Sequence, residues 1–104
     1  MSALQQNRYW DAAKTLVGKT LYTQKKAVPF TIIEVDRNIR YKRQSGRIST
    51  WTYSREKVES CCRHRESGGE IAIDSLYRAG IEKNPNRGEY SYLPAIVDEI
   101  LKLI

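Results

Sequence analysis

Histidine, cysteine and long apolar runs are all scarce in this chain, and each scarcity removes a class of function. His64 is the only histidine. A paired-imidazole acid and base, or an HNH-type nuclease site, is therefore hard to assemble. The two cysteines, Cys61 and Cys62, are adjacent. Neighbouring side chains on a helix diverge, which argues against a structural disulfide between them and for thiols of a reducing compartment. Together with His64 they offer three metal donors but no fourth at a usual spacing, whereas a structural zinc site needs four converging tetrahedrally. No stretch approaches the roughly 18 consecutive apolar residues of a membrane span, and the N-terminus has no apolar run of signal-peptide length. A soluble, cytoplasmic protein with no membrane partner is expected. Internal repeats, low-complexity runs and dividing linkers are absent too, so residues 1–104 are read as one domain.

Against these absences stand a basic balance and enough apolar residues for a core. The chain has 104 residues, a formal charge of +6 and a pI of about 9.5, with 40% hydrophobic residues. One small core is expected, with a basic exterior suited to phosphate-rich partners. The cations concentrate in the stretch from Phe30 to Tyr53. Three β-rich runs there, Phe30–Val35, Ile39–Arg43 and Arg47–Tyr53, are separated by turn signals at Asp36-Arg37-Asn38 and Gln44-Ser45-Gly46. That pattern predicts an antiparallel meander. Two registers fit the second turn. A two-residue Ser-Gly turn leaves Trp51 beside Arg40 and Lys42; a three-residue loop with Gly46 left-handed groups Trp51 and Tyr53 with Ile39 and Tyr41 in the core.

Helices are predicted on both sides of the meander. Leu4, Trp10, Ala13, Leu16 and Val17 mark an amphipathic helix over 3–17 that Gly18 stops. Ser54 is a good N-cap for a second helix, with Glu56 in its first turn and Tyr53 and Val58 spaced as a hydrophobic staple. It should end before Gly68-Gly69. Ile71 and Ile73 suit a short strand, and Asp74 suits the cap of a brief helix stopped by Gly80. Asn84 to Gly88 reads as a loop. Leu93, Ile96, Val97, Ile100, Leu101 and Ile104 define a last helix with one long apolar stripe, Pro94 in its first turn. An α+β fold follows: a small antiparallel meander packed against N- and C-terminal helices. An exposed part of the last stripe would also suit a homodimer.

Catalytic and cofactor motifs are weak. Ala13-Lys14-Thr15-Leu16-Val17-Gly18-Lys19-Thr20 matches the loose form of a phosphate-binding loop, but that loop needs a strand before it and a helix after it. Here the order is reversed. Glu34 and Asp36 share a strand face as a possible metal pair, yet no acidic-x-Lys pattern accompanies them. No catalytic residues, metal ligands or cofactors are assigned, and the chain is read as not an enzyme. The cationic meander remains. Arg37, Arg40, Lys42, Arg43 and Arg47 are assigned to nucleic-acid phosphates, extended by Arg55, Lys57 and Arg63. Such contacts position a protein without reading sequence.

Leu16 to Thr23, then Phe30 with Ile32 and Val35, then Gly69-Glu70-Ile71-Ala72-Ile73, and finally Tyr92, Ala95 and Ile96 carry a family likeness. On those residues the chain resembles a small uncharacterised module found at the C-terminal end of bacterial restriction-type proteins, including HNH endonucleases and helicases. Two places depart from that pattern: the entry to the helix at Tyr53-Ser54, where the module usually has a proline, and the loop from Asn84 to Gly88. The resemblance implies an accessory role beside DNA-processing enzymes, with DNA a better candidate partner than RNA. The alternative is a protein-interaction module, a subunit or inhibitor of such an enzyme, using the same basic face.

Overall fold

A computed structural model describes residues 3–49, 52–83 and 91–104, with side chains described from Arg8 onward. Thr50, Trp51 and the 84–88 loop lie outside the described residues. Eight elements follow in order: α1 (Ala3–Lys14), β1 (Thr20–Tyr22), β2 (Pro29–Val35), β3 (Asn38–Arg43), β4 (Tyr53–Ser54), α2 (Arg55–Glu66), α3 (Ile73–Arg78) and α4 (Leu93–Lys102). The strands form one antiparallel sheet in the order β1-β2-β3-β4. The α+β class read from the sequence is therefore the class observed.

Period-2 alternation divides the sheet into a covered and an open face. Leu21, Phe30, Ile32, Ile39, Tyr41 and Tyr53 are buried and join one continuous core with Trp10, Leu16, Val58, Cys61, Cys62, Leu76, Leu93, Ile96, Val97 and Ile100 from the helices. Thr20, Tyr22, Arg40 and Lys42 alternate with them and are exposed. One extra residue sits in β2: Ile32 pairs with Tyr41, but Glu34 pairs with Arg40 and Val35 with Ile39. Without that bulge at Ile33, Glu34 would share the inward face with Phe30 and Ile32. With it, Glu34 turns out toward Arg40 and Val35 packs against the core.

The Gln44-Ser45-Gly46 connection adopts the three-residue form. Gly46 has φ +86°, a region open to glycine at no steric cost. The Gly46 N–H donates to Arg43 O at 2.8 Å and the Arg43 N–H to Arg47 O at 2.9 Å. Tyr53 is fully buried, pairs with Ile39 and stacks on Tyr41 at 5.8 Å between ring centroids. Tyr92, just before α4, completes the aromatic cluster at 4.6 Å from Tyr41 and 5.0 Å from Phe30.

The third run departs from expectation. Among the described residues of this run a single bridge joins Ile48 to Lys42, and β4 pairs with Asn38 and Ile39. The register differs by two residues between those points, so the returning chain is longer than its partner there. Ile71 and Ile73 also form no strand: Ala72 is extended at the N-cap of α3 and Ile73 is its first residue. Asp74 lies in the first turn and is not the cap. A strand at Ile71 needs a neighbour, and Ile71 instead drops singly into the core.

Helix ends match local chemistry. Ser54 Oγ accepts from the Lys57 N–H at 3.2 Å, Glu56 lies in the first turn of α2, and Tyr53 and Val58 are both buried. α1 ends at Lys14, three residues short of the predicted limit, as tightened turns carry Leu16 into the core before Gly18 at φ +87°. In α4 the apolar stripe is core: Leu93, Ile96, Val97 and Ile100 are all buried. Leu101 is half-buried, and Ile104 at the far end of the stripe is exposed. Among the described residues no helix is long and apolar enough to cross a membrane.

Candidate nucleic-acid interface

Connectivity sets where the cations meet. In an antiparallel sheet of order β1-β2-β3-β4, the loop between β1 and β2 and the turn after β3 lie at one end, and the β2–β3 turn at the other. Lys25 and Lys26 occupy the first loop and Arg47 the turn after β3. Lys42 and Arg43 close β3 at the same end. The β1–β2 loop is built by Thr23, whose N–H donates to Val28 O at 3.0 Å and whose hydroxyl accepts the Val28 N–H at 2.9 Å. Ala27, at φ 53°, turns the chain back there.

At this end Lys42 and Arg47 are exposed and Arg43 is half-buried, as its parity with Ile39 and Tyr41 dictates. The Lys42 stem lies over the turn, its Cε 3.9 Å from where a Cβ on Gly46 would stand. No carboxylate occurs between Thr20 and Ile33 or between Arg37 and Arg55 in the sequence. Arg40 is exposed further down the open face, with its Nε 3.6 Å from Glu34. Half exposed on both sides, that pair is weak and leaves the guanidinium available. The Thr20 and Thr31 hydroxyls meet at 3.2 Å on the same face, in the row that continues to Lys42.

The other sequence-assigned cations go elsewhere. Arg37 is exposed in the β2–β3 turn, at the opposite end. Arg55 lies on the helical side, with Nε 3.4 Å from Glu59 and its guanidinium 5.8 Å from the centre of the Trp10 ring. Trp10 itself donates to Asp36 O at 3.0 Å, which pins α1 to the β2–β3 turn. Lys57 is largely buried and pairs with buried Glu82 at 2.9 Å. Arg63 is exposed on α2 and donates to Ser60 Oγ at 3.3 Å. Eight cations adjacent in sequence thus divide between the sheet and the helical layer. Lys25 and Lys26 enter the group in their place; the sequence marks them only as a turn, and antiparallel strand order is the signal that brings them in.

Groups with chemical potential outside this region are structural. Among the described residues no cluster of three or more His, Cys, Asp or Glu side chains converges as a metal site. Glu34 faces Arg40 within β2, whereas Asp36 lies past the end of the strand, in the turn, with its N–H on Asn38 O. Cys61 and Cys62 are buried free thiols, and burial pushes the Cys62 thiol up to about 12. His64 is half-buried with Nε2 2.9 Å from Ser75 Oγ, fastening α3 to α2. The phosphate-loop-like segment runs from helix to strand, and Gly18 donates its N–H to Ile32 O at 2.7 Å. That amide is committed to the sheet.

Fold and site together define a two-layer α+β domain with one open, basic sheet face. Comparison with protein-family models, curated proteins and solved structures finds no match.

Proposed function

We propose that this protein is a cytoplasmic, non-catalytic module that binds nucleic-acid backbone through the loop end of its sheet. The observation that carries this reading is the gathering of Lys25, Lys26, Lys42 and Arg47 at one end of the sheet, on segments that hold no carboxylate in the sequence, flanked by Arg40 on the open face. A solubility surface intersperses both signs; here the stretch from Thr20 to Ser54 sets only Glu34, which faces Arg40, and Asp36, at the opposite turn, against seven cations. Flexible lysines on a loop and arginines at a turn suit phosphate oxygens, which are contacted without base readout. Phe30, Tyr41 and Tyr53 are core and offer no base-stacking platform; Tyr22, 59% exposed at the end of β1, is the open ring beside these cations among the described residues. Several cations around a single open ring favour backbone contact over a row of stacked bases. DNA as partner, and an accessory place beside DNA-processing or restriction enzymes, rest on the resemblance described above.

Fluorescence anisotropy of labelled duplex and single-stranded oligonucleotides at low and near-physiological salt tests the reading. Binding should fall with salt and be abolished in Lys42→Glu/Arg47→Glu, while Arg63→Glu leaves it within about twofold, since a single exposed charge away from the site acts only through the screened net field. Failure of the wild type to bind at low salt overturns the proposal and turns the same basic end toward an acidic protein.

A further inference from the structure

β1 is an edge strand whose outward backbone groups have no partner among the described residues. Lys19 O accepts the Ile32 N–H at 3.1 Å and the Thr23 N–H donates to Val28 O at 3.0 Å. Antiparallel pairs alternate between bonded and non-bonded, so the Lys19 C=O, the Leu21 backbone groups and the Thr23 N–H turn toward β2, while the Lys19 N–H goes to Leu16 O. Thr20 and Tyr22 turn theirs away from it, toward the free edge. Beyond that edge lies a groove of about 450 Å³ walled on the far side by α4, through Ala95, Asp98, Glu99 and Lys102. Tyr22 is 59% exposed beside it.

We infer that this edge is a homodimer interface, in which β1 pairs antiparallel with β1 of a second copy about a two-fold axis through Leu21. The register is self-complementary. Thr20 stands opposite Tyr22 of the partner subunit, and its N–H and C=O bond to that residue's C=O and N–H. The symmetric half repeats this, which leaves no outward group of either edge unmatched. Charge selects a second copy over a charged peptide. The groove sets Lys19 and Lys102 against Glu99 and against Asp98, which also pairs with Arg65, so two molecules of formal charge +6 meet there with less repulsion than at the basic end. Leu103 and Ile104, exposed just past the end of α4, extend apolar surface beyond Lys102, which lines the groove. An isologous contact of this kind closes on itself and does not propagate.

Sedimentation equilibrium of the full chain decides it. The wild type should rise from 12.1 kDa toward twice that mass as concentration increases. Tyr22→Pro removes one outward N–H and no bond to β2, and should stay at the chain mass with an unchanged circular dichroism spectrum. Tyr22→Ala, which keeps the N–H, should still dimerise. A second readout does not depend on any variant: the Thr20 and Tyr22 amides should gain hydrogen-exchange protection with concentration, whereas Lys25 and Lys26 should not. A wild type that remains at the chain mass, or amides whose protection is independent of concentration, overturns the inference and leaves the edge to a strand of another protein.

Discussion

Lys57 and Glu82 meet at 2.9 Å with little of either side chain exposed. Glu82 also accepts the Lys83 N–H at 2.9 Å, so α2 holds the segment after α3 by a desolvated charge pair. Removing one partner of such a pair leaves the other charge in a low dielectric, at a cost of about 3–5 kcal/mol. Lys57→Ala is expected to lose that much in urea unfolding, and Lys57→Met/Glu82→Met to recover most of it. The same residues line a shallow cleft with Ser54, Glu56 and Ser60, which that structural role explains. Cys62 is governed by burial first and by neighbouring Cys61 second, which together hold its thiol up at about 12. Because the folded value lies above the ordinary 9.0, the stabilisation is complete below pH 9 and is lost as pH rises toward 12, where the unfolded chain ionises first. At pH 8 a thiol-specific disulfide reagent should therefore modify Cys62 only at the rate of unfolding. Prompt labelling of the native protein would contradict the burial.

α3 is a six-residue helix, too short to persist without tertiary support, and its attachment turns on Gly69. The Gly69 N–H donates to His64 O at 2.9 Å, and a Cβ at this position would stand 2.3 Å from His64 Nε2. Gly69→Ala should push the imidazole away from Ser75 and cost about 1–3 kcal/mol by overpacking. The double variant with His64→Ala should cost less than the two single effects added, which a double-mutant cycle reads directly. At this scale the sequence is informative where a local signal decides the outcome. Ser54, Tyr53 and Val58 carry the entry of α2, Gly46 carries the turn, and the spacing of Leu93, Ile96, Val97 and Ile100 carries α4. It is less so where a tertiary choice decides. Ile71 and Ile73 alternate like a strand but have no strand neighbour among the described residues, and the run from Arg47 to Tyr53 is β-rich yet shifts its register by two residues between Ile48 and β4. The bulge at Ile33 is likewise set by the demand of Val35 for the core and of Glu34 for solvent, which no single-strand periodicity displays.

Across the whole molecule the two layers carry different charge. On the helical side three arginines are neutralised locally, Arg8 by Glu66 at 2.9 Å, Arg55 by Glu59 at 3.4 Å and Arg65 by Asp98 at 3.3 Å. Between Thr20 and Ser54 only Glu34 and Asp36 oppose Lys25, Lys26, Arg37, Arg40, Lys42, Arg43 and Arg47. The continuous basic run in the sequence pointed to a charged region, but its boundaries followed chain order, and folding moved Arg55, Lys57 and Arg63 to the other layer. This redistribution makes the nucleic-acid reading quantitative. If the loop end contacts four or five phosphates, the logarithm of the affinity for duplex DNA should fall with the logarithm of salt at a slope of about −4, near 0.9 per contact. Lys25→Gln/Lys26→Gln should flatten that slope by about 2, because both ammonium groups leave the contact set together. Arg55→Gln should leave the slope unchanged, since its guanidinium is already held by Glu59 and Trp10. A slope that responds equally to both substitutions would mean that net charge alone governs binding and that the sheet end is no site.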